Sequence, residues 1–106
     1  MYPKVSASFQ AFVSQTPAFS SIWMEAVEGL GRASPLEPKT KALCYLSVLA
    51  AARLTSGISF HTSVARAAGA TKEEVAAALL IGLPAVGNAV IESLPAALAV
   101  FDDPIA

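Results

Sequence analysis

The sequence predicts an all-α chain of six to seven helices in one domain spanning residues 1–106. Three observations carry this. No segment sustains strict alternation of apolar and polar residues, and runs of β-branched residues are absent. Alanine and leucine, both strong helix formers, dominate. Start and stop signals for helices recur along the whole length, at Pro17, Pro38, Ser56-Gly57, Gly69 and Pro84. A chain of 106 residues is the size of one domain.

The first helix is expected over Lys4 to Ser14, where Val5, Phe9, Phe12 and Val13 form one stripe. Thr16-Pro17 supplies an N-cap and a first-turn proline. The second helix carries Phe19, Ile22, Trp23, Ala26, Val27 and Leu30 and is expected to stop near Gly29–Gly31. Pro38 opens the third, to Leu54. It is apolar on most faces and so is expected to be central and buried. After the break at Ser56-Gly57, a fourth helix covers Ile58 to Ala68 and ends at Gly69, a C′ glycine. Thr71-Lys72-Glu73-Glu74 is a capping box that starts a fifth, Lys72 to Leu83. Pro84 forces a kink or a new start. A sixth segment covers Val86 to Ser93, and Pro95 starts a last short helix to Phe101.

Composition narrows the function classes. Apolar residues make up 55% and charged residues 14%, against a usual charged share of roughly 25%. Such a chain is not disordered. Seven Lys and Arg against eight Asp and Glu, with no basic run, speak against a nucleic-acid partner. A single Cys excludes an intrachain disulfide framework and a multi-Cys metal cluster, and neither a metal nor a cofactor site is read. The charge-free run Val75 to Ile91 is interrupted by Gly82, Pro84, Gly87 and Asn88, so a buried core helix followed by a break is expected rather than a membrane span. Met1-Tyr2-Pro3-Lys4 lacks the apolar core of a signal peptide, and the expected location is the cytoplasm. A monomer of this mass exposes about 5,600 Å². Fifteen charged side chains would each have to serve roughly 370 Å² of it, so the surface is apolar and a homo-oligomer is expected.

The titratable inventory is thin: one His, one Cys, two Tyr and eight carboxylates. His61, near the start of the fourth helix, is the only side chain whose ordinary pKa lies near neutrality, which makes it the one ready general base. A lone His beside an apolar face is more often a hydrogen-bonded core residue than a catalyst.

The stretch Leu36 to Gly87 resembles the carboxymuconolactone decarboxylase and alkylhydroperoxidase D-like superfamily. The matching features are Leu-x-Pro-Lys-Thr (Leu36 to Thr40), the apolar helix behind it, and Phe-His-Thr-x-x-Ala-x-x-Ala-Gly-Ala-Thr-x-Glu-Glu-Val (Phe60 to Val75). An Ala/Leu-rich helix leading to Gly87 completes them. The resemblance implies a helical domain built around a central helical hairpin and assembled as trimers or hexamers. Redox members carry Cys-x-x-Cys-x-x-x-His, with a Glu twelve residues before the first Cys. With His61 on the motif His, the Cys positions fall on Leu54 and Gly57 and the Glu position on Ala42. None of these can attack a peroxide, resolve a sulfenate or relay a proton, so thiol redox is not expected here.

Cys44 lies two residues after Ala42, about 200° around the helix, and is expected to be a buried, inert thiol facing away from His61. Tyr45, three residues after Ala42, shares that face with Leu46, Leu49 and Arg53, and is the polar side chain that could reach His61 across the hairpin. His61 and Tyr45 are therefore the candidate catalytic residues. Decarboxylase members act on an anionic lactone, which needs cationic anchors. Arg53, expected at a helix C-terminus, and Arg66, expected to point to solvent or a neighbouring subunit, are the candidates nearest His61. Trp23, Phe9, Phe12 and Phe19 read as core. Two functions stand open. One is a non-thiol acid–base enzyme or small-molecule binder using His61. The other is a non-catalytic oligomeric helical scaffold. A pocket lined by His61 with a second hydrogen-bonding group favours the first, and a His61 sealed among Phe60, Val64 and Leu46 favours the second.

Overall fold

A computed structural model describes residues 4–104, and every regular element among them is helical. Met1 to Pro3, read above for a leader, lie outside the described residues. The chain divides into two compact units, Met1–Leu36 and Glu37–Ala106.

The first unit pairs α1 (Ala7–Gln15) with α2 (Pro17–Ala33). Ser6 caps α1 by accepting the Phe9 N–H at 3.2 Å, which starts the helix later than the apolar stripe suggested. Thr16, expected to cap α2, instead donates its hydroxyl to the Phe12 carbonyl at 2.6 Å and closes α1. Neither Gly29 nor Gly31 stops α2, because neither takes the left-handed conformation that ends a helix. The core reading of this unit is overturned for Phe19 and Trp23, which are 71% and 56% exposed, while Phe9 and Phe12 are half-buried with their rings edge to face. Two helices can bury only the seam between them. The stripe Phe19, Ile22, Trp23, Val27 and Leu30 is left exposed.

In the second unit α3 (Pro38–Ala51) packs against α4 (Ile58–Ala67) and α5 (Lys72–Leu80), followed by α6 (Leu83–Val86), a 3-10 segment Gly87–Ser93 and α7 (Leu94–Val100). Glu37 caps α3, its carboxylate accepting from the N–H and hydroxyl of Thr40. Leu46, Ile58, Ala65, Val75, Leu79, Val90 and Ala97 are fully buried and form the core. Burial of α3 on most faces is not found. Ala42, Leu46, Leu49 and Ala50 form one buried stripe, while Tyr45 and Val48 on the flank beside it are exposed.

The ends of α3 and α4 share one construction. At α4 the Ala70 N–H donates to the Ala65 carbonyl and the Gly69 N–H to the Arg66 carbonyl, around a Gly69 at φ +99°. At α3 the Leu54 N–H donates to the Leu49 carbonyl and the Arg53 N–H to the Ala50 carbonyl, with Arg53 at φ +61°. The helix expected to reach Leu54 therefore stops at Ala51. A 3-10 turn, Thr55–Gly57, leads into α4.

The capping box of α5 forms as the sequence implies. Thr71 accepts from the Glu74 N–H, and the Glu74 carboxylate accepts from the Thr71 N–H. These bonds, first the backbone one and then that from Lys39, hold the Glu74 carboxyl below its ordinary pKa. The Lys39–Glu74 ion pair at 3.0 Å ties the start of α3 to the start of α5. The stretch Lys72–Val100 is long and apolar enough for a membrane span by length and composition. It is not one straight helix, however. α5 ends at Leu80, Pro84 sits in the first turn of α6, and Gly87 at φ +75° breaks the path. Its residues Val75, Leu79, Val90 and Ala97 lie in the core.

Two glycines give opposite signs for one substitution. No atom lies within 4 Å of a Cβ built at Gly69, yet Gly69→Ala should destabilise by about 1–2 kcal/mol through its left-handed backbone alone. Gly29→Ala, in a helix interior with its nearest neighbour at 3.8 Å, should stabilise by roughly 0.5–1 kcal/mol. Chemical denaturation of both variants checks the pair.

Candidate functional site

The site is built by the reversal between α3 and α4. The left-handed Arg53 and the short 3-10 turn send the chain back, so that the fourth residue of α4, His61, faces the middle of α3. There it meets Tyr45. The two ring centroids are 4.3 Å apart and the planes are tilted by 42°. Phe60, the preceding residue, sets its ring at 88° to the imidazole at 5.1 Å. Below the ring, Gly57 leaves room. A Cβ there would stand 3.6 Å from His61 Cδ2 and 3.4 Å from Leu49 Cδ1, both ordinary contacts.

His61 is half-buried and Tyr45 is 48% exposed, so the pair lies at the surface with one side open. His61 is not sealed among Phe60, Val64 and Leu46; Val64 itself is exposed. Tyr45 approaches ring against ring, a stacking contact rather than a hydroxyl-to-nitrogen hydrogen bond. Among the described residues no hydrogen bond to the imidazole forms, and no carboxylate faces it. Burial therefore acts unopposed and lowers the His61 pKa from its ordinary 6.5. The ring is uncharged at neutral pH. It offers one N–H donor and one open nitrogen acceptor to whatever enters from the exposed side.

The other candidates separate from this pair. Leu54 and Gly57 stand at either end of the reversal, where the Gly57 N–H donates to the Leu54 carbonyl at 3.2 Å, and neither carries a reactive group. Ala42 belongs to the core. Cys44 is exposed, not buried as expected. The same half-turn that separates it from buried Ala42 points it to solvent. Arg53 holds Glu92 at 2.6 Å, and that contact raises the arginine pKa further. Arg66 does not point to solvent. Its guanidinium donates to the carbonyls of Val100 and Asp103, both at 2.9 Å, and lies over the Phe101 ring at 5.2 Å. It closes the C-terminal end of α7, where a cation is favourable for the helix dipole.

Sequence reasoning missed two features. The T-shaped wall that Phe60 sets against His61 depends on side-chain placement that spacing does not encode. Thr62, beside His61 in the chain, is fully buried and its hydroxyl has no partner among the described residues. Such a group loses its hydration without compensation.

The family model for the carboxymuconolactone decarboxylase family matches residues 17–103. The match extends on both sides of the stretch Leu36 to Gly87 that carried the resemblance, and takes in all of α2 and α7. Comparison with curated proteins and with solved structures returned no significant match. With its match running over most of the chain and across the His61 site, the protein belongs to the carboxymuconolactone decarboxylase family.

Proposed function

We propose that this family member uses His61 either to bind a small molecule or to act on one by acid–base chemistry without a thiol. The observation that carries this is the open-sided contact of His61 with Tyr45. A neutral imidazole held between rings is already a base. It needs no deprotonation before it accepts a proton from a bound ligand, and the Tyr45 hydroxyl at the rim supplies a second hydrogen-bonding group. Leu54, Gly57 and Ala42 leave the peroxide cycle without its thiols and its proton relay. The α3–α4 reversal serves as the central hairpin of an alkylhydroperoxidase D-like domain, working in the cytoplasm.

The assembly proposed is a homo-oligomer, trimer or hexamer. Its support is the low charge of the sequence together with the exposed α2 stripe, where Phe19, Ile22 and Leu30 are each at least 70% exposed. That stripe also favours the second reading, a scaffold that keeps the fold and has lost the chemistry.

The two readings part at His61. In the first, NMR titration of the imidazole gives a pKa below 6.5, and His61→Ala lowers ligand binding or turnover with little loss of stability. Because the folded-state pKa is the lower one, the stability linked to this ring is complete above pH 6.5 and is lost as pH falls through the folded value. His61→Ala removes that dependence. A ring silent down to acid unfolding, with a loss of about 2 kcal/mol or more in His61→Ala, makes the residue structural.

Light scattering at micromolar concentration tests the assembly. The expected particle is several chains, and a monodisperse particle at the 10.9 kDa of one chain contradicts it.

A further inference from the structure

We infer that the His61–Tyr45 site selects an uncharged ligand with a flat, unsaturated ring and one hydroxyl or carbonyl, and discriminates against the carboxylate of the same ring. The inference rests on the proposed ligand site and adds the chemical class of what fills it.

An anion needs a counter-charge where its hydration is lost, and the cations near this site are paired or stay in water. Arg53 is bound to Glu92 at 2.6 Å, so the pair presents no net charge. Arg66 is turned to the carbonyls of Val100 and Asp103 and to the Phe101 ring. Lys39 is paired with Glu74 at 3.0 Å. Lys72 opens α5 at that same end of the unit, beside the Thr71–Glu74 cap. Lys41 is the cation sharing the Tyr45 flank of α3. It sits one turn toward the helix start, and helical side chains lean toward the N-terminus. Lys41 is exposed, so its charge stays in water, where a surface ion pair adds little.

What remains around the ring is apolar. Tyr45 and Phe60 present one tilted and one perpendicular ring to the imidazole. Val48, three residues beyond Tyr45, and Val64, three beyond His61, are 62% and 43% exposed and extend the apolar surface on the two helices. A flat ring stacks on such walls by offset or edge-to-face contact. The two polar groups at hand, a neutral imidazole and a phenol, pair with a hydroxyl or carbonyl without any charge being desolvated. A carboxylate entering here would lose water against rings and valines with no cation to meet it. The anionic lactone that the family resemblance implies for decarboxylase members meets the same obstacle.

The test uses the full chain and two probes that share one ring, 4-methylphenol and 4-methylbenzoate, followed by NMR of the His61 imidazole. The expected result is a saturable shift with 4-methylphenol and at least about tenfold weaker binding of 4-methylbenzoate. Arg53→Gln, at the exposed ion pair, should change neither affinity. Equal or tighter binding of 4-methylbenzoate overturns the charge selection while leaving the ligand site in place, and a loss of that binding in Arg53→Gln would name the anchor responsible. A His61 signal that neither probe moves overturns the ligand site itself and this inference with it.

Discussion

The chain reversal after α3 is the constraint on which the candidate site depends. α3 ends with an arginine, not a glycine, in the left-handed conformation, and two hydrogen bonds back to Leu49 and Ala50 fix it there. The three-residue 3-10 turn that follows has no room to wander. α4 returns along α3 at once, and the register of that return decides which residue meets Tyr45. Ile58 enters the core, His61 stops at its edge, and Gly57 lies beside Leu49 with room for a Cβ. The Arg53–Glu92 ion pair then ties this corner to the 3-10 segment before α7. The pair is exposed, and such contacts add little stability. Its larger consequence is electrostatic, since it cancels the charge nearest the turn.

An imidazole in this position is unusual in what it lacks. Family relatives with the redox motif place thiols and a carboxylate around the histidine, and the resemblance puts Leu54, Gly57 and Ala42 there instead. With no carboxylate to favour the imidazolium, burial alone sets the protonation state, and it sets it to neutral. The ring walls hold the side chain by packing, where a hydrogen bond usually does so. Packing leaves both ring nitrogens without a hydrogen-bond partner among the described residues.

Much of the fold was legible because helix termini are local. Pro17, Glu37-Pro38, Gly69 and the Thr71–Glu74 box mark their boundaries with residues whose chemistry acts within four positions. Where a boundary depended on conformation rather than residue type, the sequence misled. Gly29 and Gly31 stayed helical, whereas Arg53 took the conformation usually reserved for glycine. The site followed the same division. The titratable inventory selected His61, and helical phase from Ala42, a position the resemblance supplied, selected Tyr45. Phase also turned Cys44 away from Ala42, but it could not say that solvent lay on that side. The engagement of Arg66 spans 34 and 37 residues to the end of α7, and the orphaned hydroxyl of Thr62 depends on its surroundings in the core. Neither leaves a mark in local spacing.

The central claim is that packing, and not a charged partner, keeps His61 uncharged and in place. The most direct measurement is the imidazole pKa in Tyr45→Ala, read by NMR beside the unsubstituted chain. Removing the stacked ring admits water to that face, so the pKa should rise toward 6.5. A pKa that stays where it was, or falls, would show that something other than the Tyr45 ring controls the histidine.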